Sequence, residues 1–423
     1  MFRCCASVPE DWGEPDAFYA IRPECREDVP ASRFKPRPGK TLSARRWHSS
    51  FSQEGNLDIA RVLRRIQRGG VHPTIKGVVW EFLLGCYDSK STFDERTQLR
   101  QSRRSEYERL KSKCKEMDST VGSGKIVTTP VISEDGQPIE DPSSNEAEKN
   151  TNNVILDKEV IQWKLTLHQI GLDVNRTDRA LVYYENPENQ ARLWDILAVY
   201  SWLDKDIGYC QGMTDLCSPI IIVIENEADA FWCFEHLMRR LRGNFKCTSS
   251  SIGVQAQLTL LSSILKSVDP KLHEHIENLD GGEYLFAFRM LMVLFRREFS
   301  FVDALYLWEI IWSMEYNPHL FSTYESDAAN QTKDTPANED LMRYGKFVRE
   351  NIKRGEKDHK ASLSIFLVAS VLEKKNKQLL REAKGLDDVV KILNDITGSL
   401  NAKKACTEAL KLHTKYLNMA KAA

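Results

Sequence analysis

Asn56-Leu-Asp-Ile-Ala-Arg-Val-Leu-Arg-Arg-Ile-Gln-Arg-Gly-Gly70 decides how the rest of this chain is read. Ile59, Val62, Leu63 and Ile66 recur at i, i+3, i+4 and i+7, which puts them on one stripe of an α-helix. Asn56 is the expected N-cap and the Gly69-Gly70 pair the expected stop. Moving outward, Pro73 precedes a second expected helix in which Ile75, Val79, Phe82, Leu83 and Cys86 share a face, with Trp80 beside it. The same period returns at Leu193, Leu197 and Tyr200, again at Val254, Leu258, Leu261, Leu265 and Val268, and at Val302, Leu305, Trp308 and Trp312. Four more helices are expected near 341–354, 361–383, 386–397 and 400–420. No β-hairpin or βαβ pattern and no fixed-period repeat interrupts this series, so the expected fold is all-α, with ten or more helices in one large or two smaller lobes.

Three stretches break the helical rhythm. Residues 1–40 are rich in Pro, acids and Arg without a period and read as an irregular leader; residues 118–153 lose their large apolar side chains and read as a disordered insertion; 323–340 reads as a polar loop. Within the insertion Lys125 to Ser133 alternates like a strand, although Pro130 interrupts it.

The chain has 423 residues, 42% hydrophobic and 28% charged, which excludes a disordered, collagen-like or disulfide-knot protein. Its 59 Lys+Arg balance 60 Asp+Glu, and that neutrality argues against a dedicated nucleic-acid binder. Ten cysteines lie scattered without a C-x-x-C, as expected of reduced thiols in the cytoplasm. Cys4-Cys5 follows Phe2, where myristoylation needs glycine, so plain thiols are favoured over acylation. The longest apolar run, Leu216 to Ile224, is far short of the ~20 residues of a transmembrane helix.

Nucleotide loops of the G-x-x-x-x-G-K-[ST] or G-x-G-x-x-G type are absent, as are H-E-x-x-H and G-x-S-x-G. His273 and His275 are two apart and point away from each other on a helix, which disfavours a shared metal and favours a solvated pair. Arg239-Arg-Leu-Arg242 reads as a solvated helix end stopped by Gly243. Two segments place polar groups among apolar neighbours without compositional need. In Ile170-Gly-Leu-Asp-Val-Asn-Arg-Thr-Asp-Arg179, Asp173 and Arg176 are one helical turn apart, close enough for the carboxylate to hold the guanidinium. In Asp206-Ile-Gly-Tyr-Cys-Gln-Gly-Met-Thr-Asp215, Gly208 and Gly212 flank Tyr209 and Gln211 and suggest a loop entering a helix. Read alone, the first segment is better taken as a surface ion pair and the second as an ordinary capped helix start with a buried Tyr.

Read together, these segments resemble the TBC domain, which activates Rab GTPases. Its R-x-x-x-W resembles Lys76-Gly-Val-Val-Trp80, with lysine in place of arginine; its I-x-x-D-x-x-R resembles Ile170, Asp173 and Arg176; its Y-x-Q resembles Tyr209 and Gln211, continued by Gly212, Met213 and Asp215. Phe286 to Phe299 and Leu307 to Trp312 resemble later helices of the family, so the likeness runs from about residue 41 to the C-terminus, omitting the polar loops.

The resemblance implies a multi-helical bilobed domain over 41–420 that acts on a GTP-bound Rab-family GTPase in vesicle trafficking. It implies Arg176 as arginine finger and Gln211 as glutamine finger, Asp173, Tyr209 and Ile170 in support, and Lys76, Trp80 and Gly212 as structural. Trp80 is expected in the core. Such a chain needs no metal or cofactor, because GTP and Mg²⁺ belong to the partner; it supplies residues in trans and is not an enzyme in its own right. Recruitment to membranes is expected through the GTPase. The lysine at 76 keeps the charge but loses arginine's planar fork. The alternative is an adaptor or scaffold of the same fold without useful activity; retention of both Arg176 and Gln211 favours the activator.

Overall fold

The computed structural model describes residues 13, 17–130, 132–133, 157–248, 251–325, 340–353, 361–398 and 400–422. Helices dominate, and they divide between two compact units: residues up to Thr97 together with His236 onward, and Gln98–Glu235.

In the first unit the central element is Phe301–Met314, every residue of which is buried. Such a helix is apolar almost all round, as its aromatic and aliphatic sequence requires. It packs against Ile59–Gly69 and Ala402–Ala422, and the latter packs against Leu363–Glu382. Trp80 meets Trp312 edge to face at 5.0 Å, within a fully buried tryptophan cluster that includes Trp308. The helix read from the opening stretch begins at Ile59, not Leu57. Its N-cap is Asp58, whose Oδ1 accepts from the Arg61 amide at 3.0 Å, while Asn56 lies in the preceding turn. Both residues are good caps, and the register of the buried stripe selects between them.

The second unit stacks Lys158–Arg176 on Pro187–Leu203, and Pro187–Leu203 on Met213–Val223. Two tryptophans lock the first pair reciprocally: Trp163 Nε1 donates to the Ala198 carbonyl at 2.9 Å and Trp194 Nε1 to the Leu167 carbonyl at 3.1 Å. Lys111 joins Asp195 at 2.9 Å and Glu227 at 2.5 Å, an ion-pair junction that no motif announced.

Several expectations need correction. The leader is irregular, yet two of its aromatic side chains are buried: Phe34 stacks on Tyr306 at 4.4 Å and Tyr19 contacts Phe301. Residues 118–130 are likewise placed on the core, not loose. Val121 and Val127 are buried, Asp118 pairs with Lys164 at 3.3 Å, and the Gly122 amide donates to Asp195 at 2.9 Å. Lys125 to Pro130 forms no strand. The rest of the expected insertion, 134–153, lies outside the described residues, as do 326–339 of the polar loop and Cys4-Cys5. A minimal antiparallel pair, Cys247–Thr248 with Ser251–Ile252, was not expected; two-residue strands are too short to show a period. Helix Glu227–Phe245 runs through Gly243, because burial of Asn244 and Phe245 outweighs the roughly 1 kcal/mol cost of a helical glycine. His273 is buried against the Tyr284 hydroxyl at 3.0 Å, not solvated, and His275 turns to the Leu379 carbonyl.

Candidate functional site

Arg176 is the last residue of helix Lys158–Arg176, one turn after Asp173. The helix ends because Thr177 turns extended, with its hydroxyl donating to the Asp173 carbonyl at 2.7 Å. This places Arg176 at a helix C-terminus, where backbone carbonyls favour a cation. Its side chain is 60% exposed while Nη2 donates to Asp173 Oδ1 at 2.5 Å; the Asp173 side chain is only 9% exposed. The guanidinium is therefore held at one corner and open to a partner on the rest of its fork.

The second oxygen of Asp173 accepts from the Tyr209 hydroxyl. Burial, and then this bond to a carboxylate, push the phenol pKa far up, so Tyr209 stays protonated and remains a donor. Tyr209 begins a short turn. Gly208 (φ 63°) and Gly212 (φ 104°) bracket it in left-handed backbone, which a residue with a Cβ enters only under strain. Gly212 is the N-cap of helix Met213–Val223, and the Met213 amide closes the turn on the Cys210 carbonyl at 3.1 Å. Gln211 is thrust outward: it is exposed, and its amide bonds to no described residue. Asp173 is thus the shared acceptor that couples the arginine to the turn carrying the glutamine.

A second tie, which the sequence reading missed, fixes the chain just beyond Arg176. Tyr184 donates to Ser218 Oγ at 2.8 Å, and Ser218 donates to Asp178 Oδ2 at 2.6 Å. Asp178 adopts φ 47°, and Ser218 belongs to the helix that follows Gln211. Asp178 stands inside the arginine segment, but nothing in its spacing reveals a partner forty residues away. Gly171 is a second residue without a signal in the sequence. A Cβ there would lie 1.8 Å from the Val127 carbonyl oxygen, so glycine is what lets residues 126–127 lie directly on the arginine helix. Ile170 is fully buried beside it.

Lys76 and Trp80 meet elsewhere, in the first unit. Lys76 is fully buried, with Nζ bonded to Glu309 Oε1, and Trp80 Nε1 donates to the same oxygen at 3.2 Å. The Val71 amide donates to Glu309 Oε2 at 2.9 Å. Burial pushes the Lys76 ammonium down and the Glu309 carboxyl up, each against the pull of the other's charge. Both motif residues serve the core here, and a single ammonium contact does the work for which a fork is unnecessary. Among the described residues no cluster of His, Cys, Asp and Glu could hold a metal, Cys25, Cys86, Cys114, Cys210, Cys217, Cys233 and Cys406 are free thiols, and no helix is long and apolar enough to cross a membrane.

Residues 131–324 match the Rab-GTPase-TBC domain family, a span that contains Ile170, Asp173, Arg176, Tyr209 and Gln211 but not Lys76 or Trp80. The chain is 28% identical to Rab GTPase-activating protein 22 of Arabidopsis thaliana, over 91% of this chain and 82% of the relative. It is 31% identical to human TBC1 domain family member 17 over 76% of this chain, but spans only 46% of that protein. The fold is similar to the crystal structure of the Ypt/Rab-GAP domain of Gyp1p, with a TM-score of 0.58 at 18% identity, covering 88% of this chain and 98% of that one. On these grounds residues 131–324 of the chain belong to the Rab-GTPase-TBC domain family.

Proposed function

We propose that this chain accelerates GTP hydrolysis by a Rab-type small GTPase in its GTP-bound state, and so regulates vesicle trafficking. The observation that carries the proposal is Asp173, which accepts from Arg176 on one oxygen and from Tyr209 on the other, two residues before an exposed Gln211. A slow GTPase lacks a cation against the charge that develops on the transferred phosphoryl oxygens and a group that places the attacking water. Arg176 supplies the first and Gln211 the second, its carbonyl accepting from the water and its NH₂ free to donate. An inserted arginine of this kind accelerates hydrolysis about 10³- to 10⁵-fold, equivalent to about 4–7 kcal/mol of barrier. GTP and Mg²⁺ come with the partner, and the chain contributes side chains only. Membrane recruitment follows from the membrane-bound GTPase.

The relatives' names support this reading, and the test is multiple-turnover GTP hydrolysis across a panel of Rabs with wild type, Arg176→Ala and Gln211→Ala. Wild type is expected to stimulate at least one Rab, and each variant to lose most of the stimulation while still binding it. Undiminished stimulation by both variants refutes the two-residue mechanism. Binding without stimulation by wild type establishes an adaptor instead.

A further inference from the structure

A cavity of about 150 Å³ in the first unit is lined by six cations: Arg33, Lys35, Arg37, Lys40, Arg68 and Lys403. Its sole carboxylate among the described lining residues, Asp303, is already occupied. Oδ1 accepts from the Phe34 amide at 2.8 Å, and Oδ2 from the Arg33 amide and Ser300 Oγ, both at 2.9 Å. Asp303 is thus engaged by two backbone amides and a hydroxyl, and no salt bridge joins it to a described cation of the cavity. Arg33 reaches the Gly398 carbonyl at 3.4 Å and Lys403 the Arg68 carbonyl at 3.1 Å, whereas the side chains of Arg37, Lys40 and Arg68 bond to no described residue. Helix Ala402–Ala422 starts at the same wall, capped by Asn401, which accepts from the Lys404 amide at 2.9 Å, so its positive end adds to the field. Next to the cavity, Arg65 donates to the Gly39 carbonyl at 3.2 Å. Burial, then the charges of Arg46, Arg68 and Arg61, press its pKa below the usual arginine value. The wall itself is firm, because Phe34 stacks on Tyr306 and lies under the buried Lys76.

We propose that this cavity binds a compact ligand bearing several phosphate groups, of the inositol phosphate class, either as a soluble molecule or as the head group of a membrane lipid. Arginine forks and a helix N-terminus around a small concavity suit tetrahedral phosphates, which offer several acceptors within a few ångströms. An extended acidic protein surface would not fill such a recess. The inference does not depend on the activity proposed above.

The test uses the full chain, with inositol trisphosphate by calorimetry and phosphatidylcholine vesicles with and without phosphatidylinositol bisphosphate by flotation. One trisphosphate is expected per chain, weakened at least about tenfold in R37Q/R68Q. The control K374Q/K377Q, which removes two exposed charges from another helix, is expected to bind like wild type. Displacement of the protein from doped vesicles by free trisphosphate identifies a lipid head group as the source; trisphosphate binding without flotation identifies a soluble ligand. Circular dichroism checks folding, and Lys40→Gln serves as the second variant if R37Q/R68Q is impaired. The proposal is overturned if neither probe binds, if the control weakens binding as much as the cavity variants, or if polyglutamate competes as well as trisphosphate.

Discussion

Two carboxylates in this protein do chemically similar things in opposite surroundings. Asp173 accepts from a cation, Arg176, and an aromatic hydroxyl, Tyr209; Glu309 accepts from a cation, Lys76, and an aromatic N–H, Trp80. In the first group the cation's side chain is 60% exposed, whereas in the second both charged side chains are fully buried. An exposed cation beside a buried acid is positioned and can still meet a charge from outside. A buried pair has already used its electrostatic capacity on its own desolvation, and serves to fix one packing of the tryptophan cluster.

The largest effect that would break this contrast comes from Arg176→Ala. Stimulated hydrolysis is expected to fall about 10³-fold or more, while the unfolding free energy changes by less than about 1 kcal/mol, because the exposed Arg176 is screened by solvent and Tyr209 still donates to Asp173 when it is removed. Parallel kinetics and denaturant titrations measure both; a stability loss of several kcal/mol would make Arg176 structural and erase the distinction. Lys76→Ala should do the reverse. It leaves Glu309 buried without its cation and costs about 3–5 kcal/mol, with stimulation per folded molecule unchanged. The double variant Lys76→Met with Glu309→Gln is expected to regain part of that loss, because a neutral amide needs no buried cation and its oxygen still accepts from Trp80 or Val71.

Gly171→Ala asks how far the backbone beneath the arginine depends on close packing. The added methyl meets the Val127 carbonyl, and overpacking should cost about 1–3 kcal/mol in spite of alanine's better helix propensity. Hydrogen exchange at residues 121–130 should rise with it. The finest comparison pairs Tyr209→Phe with Trp80→Phe, each removing one donor from a buried carboxylate. Both should lose about 1 kcal/mol of stability from the missing bond, Trp80→Phe with some further loss from packing, but only Tyr209→Phe should also reduce stimulation, by about tenfold. Equal kinetic effects would show that the two acids are not functionally different.

Much of this is legible in the amino-acid sequence alone. The helices around Val62, Leu258 and Trp308 follow from a 3.6-residue apolar period, which is a local property. The Asp173–Arg176 contact is likewise local, since i and i+3 meet on any α-helix. The glycines around Gln211 announced a turn because left-handed backbone selects glycine. Less visible were the packing of the leader through Tyr19 and Phe34 and of residues 118–130 through Val121 and Val127. Isolated apolar residues in a polar stretch carry no period, and only a partner surface shows that they are buried.

The sequence by itself thus determined that the chain is all-α, and which polar side chains lie within one turn of each other. Tertiary structure alone decided that Asp173 receives Tyr209 as well as Arg176, that Asp178 is tied to Ser218, and that Glu309 is what makes a lysine acceptable at position 76. The reason is physical: helical periodicity and turn chemistry act over a few residues, whereas the pairing of a buried carboxylate depends on which distant groups folding brings to it. The same holds for the cations around Asp303, which are spread from Arg33 to Lys403 and share a cavity only once the first and last parts of the chain have packed together.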